Sequence, residues 1–346
     1  MADVIEKEVV DLDAVSAWMD AEGLPAGAIE NLESLGGGTQ NVLLRFERGG
    51  RRYVLRRPPR HLRANSNETM RREARVLGAL AGSAVPHPRL IAACPQTDVI
   101  GASFYLMEPI DGFNPTVGLP EPHASSPDLR HAMGLAMVDA IAALGAVDYE
   151  AVGLGDFGRV DGFLERQVPR WKKQLDSYAE FDGYPGPDIP GVGDVGAWLD
   201  ERRPTSWRPG ILHGDYHLAN VLFSFDGPEL AAIVDWELST AGDPLLDLGW
   251  MLATWPDEHG LSPAGLMLSD SEGLPDRDEL VARYATRSDR DVAAIDWYLV
   301  LACYKLGIIL EGTNARACAG KADRATGDFL HAATVALFER ALTVVG

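Results

Sequence analysis

The chain has 346 residues, of which 46% are hydrophobic and 24% charged, so it has the length and composition of a globular protein with a substantial core. Its formal net charge of −20 argues against nonspecific binding to nucleic acids or anionic membranes, because both select basic surfaces. The charge weakly favours cationic substrates, but a generally acidic, solubilising surface explains it more simply.

The cysteines and the N-terminus bear on the cellular compartment. Cys94, Cys303 and Cys318 lack paired spacing, so we expect neither a disulfide framework nor a zinc site. The first ten residues do not have the basic-then-apolar order of a signal peptide, and no apolar run approaches the roughly 20 residues of a membrane helix. We therefore expect a cytoplasmic protein.

The first third of the chain predicts a small antiparallel sheet with one prominent helix. Two apolar runs around Arg48-Gly49-Gly50-Arg51 are typical of a hairpin, and Glu73 lies near the middle of the prominent helix. The prominent helix is predicted at 66–81. A first helix is predicted at 11–22, a strand-like stretch at 29–35, and two later strands at 89–93 and 103–108.

After Asp111-Gly112 the pattern becomes mainly helical. Helices are predicted at 128–147, 161–180, from Asp243-Pro244 through Trp250, at 291–312 and at 324–344. Loops rich in Gly and Pro are predicted at 181–194 and 256–276, the second of them mobile. The order predicts an α+β fold with a β-rich lobe over 1–108, a helical lobe over 109–346, and a ligand cleft between them.

The most informative segment runs from His213-Gly214-Asp215 to Asp235. Asn220 follows Asp215 by five residues, Asp235 follows Asn220 by fifteen, and apolar runs flank both parts. Phosphoryl transfer uses such a set, because one carboxylate orients the attacking hydroxyl while an amide oxygen and a second carboxylate hold magnesium. Asp and Asn are common in turns, so either half alone would be weak evidence. The complete ordered set indicates a phosphotransferase.

His213-Gly214-Asp215 and Asn220 are followed by three further segments, Asp235-Trp236-Glu237, Gly242-Asp243-Pro244 and Asp247-Leu248. Through these segments the chain resembles the aminoglycoside phosphotransferase family, and the resemblance extends from about residue 30 to the C-terminus. The resemblance implies a bilobal protein-kinase-like fold, with a nucleotide-binding N-terminal lobe and a larger helical C-terminal lobe. It also implies ATP and magnesium as cofactors and a small-molecule hydroxyl as the acceptor.

Within that family, the chain looks most like the phosphotransferase-like module that is fused to acyl-CoA dehydrogenases in some eukaryotes, and like its stand-alone bacterial relatives. Shorter strings carry this closer match, at 54–59, 167–171 and 309–312. A dehydrogenase activity is not expected, because no residues are left for a flavin-binding domain after the kinase-like region.

The resemblance implies a nucleotide site in the first lobe. Gly36, Gly37, Gly38 and Thr39 would approach the phosphates, although a triple glycine is also a common loop. The family holds the α- and β-phosphates with a strand lysine paired to a helix acid. Here the corresponding residues are Arg56 and Glu73, and a solvent-facing arginine is the alternative. The link between the lobes, which would meet the adenine through its backbone, contains Met107, Glu108 and Ile110.

In the second lobe, the resemblance makes Asp215 the catalytic carboxylate and Asn220 and Asp235 the magnesium ligands. His213 is interpreted as a scaffold residue, and Asp247 as a brace of the catalytic loop or an ordinary helix surface residue. Glu237 either assists the metal or lies on the surface. Four residues are candidates for contact with the acceptor: Trp171, Lys305, Glu311 and Arg316.

The leading hypothesis is a Mg-ATP-dependent O-phosphotransferase whose acceptor carries a hydroxyl, a hydroxyacyl-CoA being one candidate. Lys305 and Arg316 would suit an anionic acceptor, although surface cations on amphipathic helices are equally expected. An aminoglycoside-type antibiotic phosphotransferase is an alternative. A nucleotide-binding module with little catalysis is another, motivated by Arg56 in place of lysine. No nucleic-acid or membrane partner is expected.

Overall fold

The computed structural model describes residues 10–36, 41–256, 262–263 and 270–346. The chain divides into two compact units, one of residues 1–111 with 232–237 and one of residues 112–231 with 238–346. An antiparallel sheet dominates the first unit and helices dominate the second, which confirms the predicted α+β class. The return of 232–237 to the first unit brings Asp235 to the sheet-bearing part of the protein.

The first unit is built on a five-stranded antiparallel sheet with strands β1 Glu30–Ser34, β2 Val42–Arg48, β3 Arg51–Arg57, β4 Leu90–Cys94 and β5 Phe104–Met107. The order of the strands in the sheet is β1-β2-β3-β5-β4. Gly49 and Gly50 have φ angles of 57° and 74°, and positive φ angles at both central positions are typical of a type I′ two-residue hairpin turn. The predicted hairpin is thereby confirmed.

Two helices cover this sheet, α1 Leu12–Ala21 and α2 Ser66–Ala79. Val15 and Met19 of α1 join the strand residues Phe46 and Leu55 in one buried cluster. Helix α2 buries Met70, Glu73 and Leu77 on one face, because residues three and four apart share a side of a helix. Glu73 is thus carried into the interior with the apolar face.

The second unit consists mainly of helices. Its helices are α3 Pro127–Gly145, α4 Gln167–Ser177, α5 Val192–Glu201, α6 Leu245–Thr254, α7 Arg277–Arg287, α8 Ile295–Cys318 and α9 Arg324–Val345. A Cβ at Gly249 would lie 2.5 Å from the backbone carbon of Tyr298, so α6 and α8 approach each other closely at this position.

Short strands carry the loops that hold the predicted motif, namely β6 Gly210–Leu212, β7 Val221–Phe223, β8 Leu230–Ile233 and β9 Thr240–Gly242. Strand β6 pairs with β9 in antiparallel register, from Gly210 opposite Gly242 to Leu212 opposite Thr240. The N–H of Ser224 donates to the carbonyl of Glu229 and closes the turn after β7.

Several predicted elements differ from those observed. Helix α4 begins at Gln167 rather than at 161, after a turn in which Gly162 has a φ of 59°. Helices α5 and α7 were not predicted, although α7 opens with a capping box formed by Asp276 and Glu279. About half of the predicted loop over 256–276, namely 257–261 and 264–269, lies outside the described residues.

A membrane-spanning helix is absent from the described part of the chain, since none of its helices combines enough length with enough apolar character.

Replacing Gly249 by alanine tests the close approach of α6 and α8. The added methyl group would meet the Tyr298 backbone, so we expect G249A to lower the free energy of unfolding by about 1–3 kcal/mol. The control is G193A in α5, where a Cβ meets nothing within 4 Å and alanine favours the helix. Urea unfolding of both variants measures the difference, and equal midpoints for G249A and wild type would contradict the observed packing.

Candidate functional site

In the first unit, a buried ion pair joins strand β3 to helix α2. Arg56 Nε lies 2.7 Å from Glu73 Oε2, and Arg56 Nη2 lies 2.6 Å from Asp235 Oδ1. Tyr105, which is opposite Arg56 in the register of β3 and β5, donates its hydroxyl to Glu73 Oε2 at 2.8 Å. Arg56 is 8% exposed, which excludes the alternative of a solvent-facing strand residue.

The electrostatics of this cluster keep the guanidinium charged. Burial opposes the charge of Arg56, but the carboxylate of Glu73, followed by Tyr105 and Asp235, raises the pKa of Arg56 above its ordinary value. A buried ion pair is sensitive to the loss of one partner, because the remaining charge is then uncompensated. Each of the two charges, that of Glu73 and that of Arg56, is therefore stable in the interior only while the other is present.

Asp235, two residues after the end of β8, has an unusual backbone conformation. Its φ is 67°, a left-handed conformation that a residue other than glycine rarely adopts and that concentrates at functional sites. Oxygen atoms of Glu73, Asp235 and Glu237 lie within 4.8 Å of one another, close enough to share a cation. Carboxylate oxygens suit the hard cation Mg²⁺, so the residues present fit that ion.

The predicted residues of the link and the glycine loop are only partly described. Met107 is the buried last residue of β5. The N–H of Glu108 donates to the carbonyl of Arg89 at 2.9 Å, and the Glu108 carboxylate lies 3.0 Å from the guanidinium of Arg51. Ile110 is partly exposed and lies outside any strand. Gly36 is exposed with open space around it.

The other predicted phosphate-contacting residues, Gly37, Gly38 and Thr39, lie outside the described residues.

In the second unit, the carboxylate of Asp247 holds the start of the loop that carries Asp215. The N–H of His213 donates to Asp247 Oδ2 at 2.6 Å, and the N–H of Gly214 donates to Oδ1 at 2.8 Å. Asp247 is buried on α6, which excludes the alternative of a helix surface residue. Burial raises its pKa to about 7, whereas the two N–H donors and Lys305 favour the carboxylate.

Asp215 follows these two residues on the same loop. Its Oδ2 accepts from Asn220 Nδ2 at 3.0 Å, and its Oδ1 lies 3.3 Å from His217 Nε2. Burial alone would raise the pKa of Asp215. The hydrogen bond with His217 and the electrostatic interactions with His217, His213 and Lys305 outweigh burial and lower that pKa to about 2. Asp215 is therefore held as a carboxylate.

Asn220 is oriented by its own side-chain amide. Nδ2 donates to the carbonyl oxygen and to Oδ2 of Asp215, so the side-chain oxygen is the atom that can meet a cation. Asn114, which the sequence did not point to, donates to the carbonyls of Ala219 at 2.6 Å and Val221 at 3.4 Å. These bonds fix the backbone on both sides of Asn220. A contact across more than 100 residues leaves no local pattern by which Asn114 could have been found.

The four acceptor candidates have different environments. Lys305 is buried near Asp215, and its Nζ lies 5.7 Å from the centre of the buried ring of Trp171. Glu311 is buried and accepts from Tyr184, with Asn314 and His331 also in hydrogen-bonding distance. Arg316 is exposed near the end of α8 and donates to Thr313.

The structure therefore groups the predicted residues into two sets. Arg56, Glu73, Asp235 and Glu237 come together in the first unit. His213, Asp215, Asn220, Asp247 and Lys305 come together in the second unit. Glu311 and Arg316 belong to neither set, and the two predicted magnesium ligands Asn220 and Asp235 belong to different units.

A buried ion pair between a strand cation and a helix acid, together with an aspartate–asparagine catalytic loop, is the arrangement of a kinase-like phosphotransferase. The chain belongs to the aminoglycoside phosphotransferase family, since the model of this phosphotransferase enzyme family matches residues 31–284. Membership supports a small-molecule phosphotransferase and confirms the family predicted from the motifs.

Solved structures agree with this assignment. A proposed aminoglycoside phosphotransferase from Ralstonia eutropha JMP134 is 31% identical, with a TM-score of 0.77 over 96% of this chain and 99% of its own. The GDP and kanamycin complex of an aminoglycoside phosphotransferase, APH(2″)-IIIa, shares the fold, with 14% identity, a TM-score of 0.62, and coverage of 94% of this chain and 98% of that one. The predicted protein-kinase-like fold class is confirmed.

Curated proteins with similar sequences are named as acyl-CoA dehydrogenases. Acyl-CoA dehydrogenase family member 11 of Gallus gallus is 30% identical over 86% of this chain and 38% of its own length. A probable acyl-CoA dehydrogenase of Arabidopsis thaliana, IBR3, is 30% identical over 89% of this chain and 40% of its own length. The chain thus spans about two fifths of the length of these relatives, which agrees with the predicted similarity to a fused module.

Replacing Arg56 by methionine tests the buried ion pair of the first unit. The change leaves Glu73 buried without its cation, so we expect R56M to lower the free energy of unfolding by about 3–5 kcal/mol. The matched control is R52M, which removes an exposed arginine from the same strand and should change stability by less than about 0.5 kcal/mol. Denaturant unfolding measures both variants, and similar small effects would show that the pair contributes little.

Proposed function

We propose that the protein is a Mg-ATP-dependent O-phosphotransferase that transfers the γ-phosphate to a hydroxyl of a small molecule. The observation that carries this proposal is the state of Asp215, an ionised carboxylate held by Asn220 and His217 on a loop clamped by Asp247. A scaffold turn would not need three separate side chains to fix one acidic group. A phosphotransferase does, because its catalysis depends largely on positioning.

Asp215 would orient the acceptor hydroxyl rather than act as a strong base. A carboxylate with a pKa of about 2 takes a proton from a neutral alcohol only weakly. In a loose phosphoryl-transfer transition state the hydroxyl proton leaves late, so an oriented hydrogen-bond acceptor is what the reaction requires. The proton would pass to Asp215 as the new phosphorus–oxygen bond forms and the bond from the γ-phosphorus to the departing ADP breaks.

The magnesium ligands would be the side-chain oxygen of Asn220 and the carboxylate of Asp235, with Glu237 as a further oxygen donor. The bound ion would supply positive charge to the phosphate oxygens. Asp235 already bonds to Arg56, so the guanidinium sets the position of this ligand. Arg56 itself would meet the α- and β-phosphates, a role for which its planar donors are suited.

For the acceptor we propose a hydroxyacyl-CoA or a related anionic metabolite. The proposal is supported by the names of the curated relatives, which are acyl-CoA dehydrogenase family members. A buried ammonium, that of Lys305, close to Asp215 is unfavourable for a polycationic antibiotic. An aminoglycoside is therefore the weaker candidate.

The test is a transfer assay with Mg-ATP and two acceptor sources, a set of hydroxyacyl-CoA compounds of different chain length and a metabolite extract. Mass spectrometry identifies compounds that gain a phosphoryl group. We expect D215N to bind ATP but to lose about 10²-fold or more in kcat, the effect of a positioned proton acceptor. D226N, which changes an exposed aspartate in the turn after β7, is the control.

The assay distinguishes the hypotheses. ATP binding with no phosphorylated product from either source would favour a binding module. A product formed equally by wild type and D215N would remove Asp215 from the reaction.

Asp235 gives a prediction about metal dependence. D235N keeps a similar shape but loses the carboxylate charge, so we expect magnesium to strengthen ATP binding to wild type and to have little effect on the variant. Titration calorimetry with Mg²⁺ and with EDTA measures the difference. D98N replaces an exposed aspartate of the same unit and should behave as wild type. An unchanged magnesium effect in D235N would assign the metal to other ligands.

A further inference from the structure

Lys305 is a buried cation whose surroundings differ from those of a surface lysine. Its ammonium is on α8 and donates to the carbonyl of Gly214 at 3.1 Å. It lies 4.4 Å from the ring centre of Trp250, on α6, and 5.7 Å from that of Trp171, on α4. Aromatic faces attract a cation, and the attraction is stronger where water is excluded.

The carbonyl that Lys305 holds belongs to the peptide unit between Gly214 and Asp215. The N–H of that same peptide unit donates to His213 Nδ1 at 3.3 Å, so both of its polar ends have side-chain partners. The two preceding N–H groups donate to Asp247. Three consecutive peptide units leading to Asp215 are therefore fixed by side chains.

Gly214 makes this arrangement possible. Its φ is 88°, and a Cβ there would lie 2.4 Å from the carbonyl oxygen of Leu238, so no other residue fits without strain. This conformation turns the carbonyl of Gly214 to Lys305.

Lys305 also balances charge. Asp215 and Asp247 are both acidic and raise the pKa of Lys305, whereas burial, the larger effect, lowers it to about 8. The charged groups that act on the ammonium are Asp215 on the loop, Asp247 on α6 and Arg170 on α4. Removing the ammonium would leave two acids close together without a cation between them.

We propose that Lys305 is a positioning residue of the transfer reaction, which fixes the Gly214–Asp215 peptide and supplies the positive charge facing Asp215 and Asp247. This inference rests on the proposed function for its kinetic part only. The clamp itself is a property of the loop and can be measured without any substrate.

The test compares K305M, which removes the charge, with K305R, which keeps it. The control is K172M, which changes an exposed lysine on α4 next to Trp171. With Mg-ATP and the hydroxyacyl-CoA that wild type phosphorylates, we expect K305M to lower kcat about 10- to 100-fold and to leave the KM for ATP within about threefold. K305R should recover most of kcat, whereas equal kcat in K305M and K172M would overturn the proposal.

The pH profile adds a readout that a purely structural role would not change. Wild type loses the ammonium charge as the pH rises through about 8, so its kcat should fall over this range. Arginine stays charged, and K305R should therefore keep its kcat at a pH where wild type has lost activity. The same alkaline fall in K305R and wild type would overturn the proposal.

Hydrogen–deuterium exchange tests the clamp independently of activity. We expect faster exchange in residues 213–220 of K305M, with the rest of the second unit and all of K172M unchanged. Unchanged exchange in 213–220 would overturn the proposal even if wild type showed no transferase activity. If K305M unfolds as a whole, K305R decides: normal exchange in 213–220 supports the proposal, and exchange as fast as in an unfolded chain contradicts it.

Discussion

The hydrogen bonds from the His213 and Gly214 amides to the buried carboxylate of Asp247 are the constraint on which the loop that carries Asp215 depends. A buried carboxylate is unfavourable unless donors surround it, and here the donors are the backbone of the loop itself. The loop therefore satisfies Asp247, and Asp247 in turn fixes the loop. The position of Asp215, one residue further on, follows from this mutual dependence.

The first unit uses the same physical principle with the signs reversed. There the buried group is a cation, Arg56, and its partners are acids from a helix and from the returning segment, Glu73 and Asp235. A guanidinium has donors in a planar fork and can join two carboxylates in a fixed geometry, whereas a lysine ammonium is a point charge. The arginine at this position is thus compatible with a well-ordered site, and its presence alone is weak evidence for a protein without catalysis.

Local patterns in the sequence predicted the elements whose causes are local. The Gly49-Gly50 hairpin was predicted because adjacent residues determine the type of turn. The motif from His213 to Asp235 could be recognised because its residues lie within about 25 positions of one another. The capping box of α7 was also local and was overlooked. By contrast, the contacts of Asn114 with Ala219 and of Lys305 with Gly214 join distant parts of the chain. Such pairs depend on packing, which periodicity does not encode.

The positions of the buried cations change how the net charge of −20 should be interpreted. Arg56 and Lys305 are both buried beside acids, so the sign of the field near each site is set by a few enclosed groups and not by the total. The excess of acidic residues bears on solubility and on the rate at which charged ligands approach, effects that salt screens over roughly 10 Å. Enclosed groups are screened much less. The total charge of the chain therefore does not by itself decide whether an anionic or a cationic ligand can bind near either group.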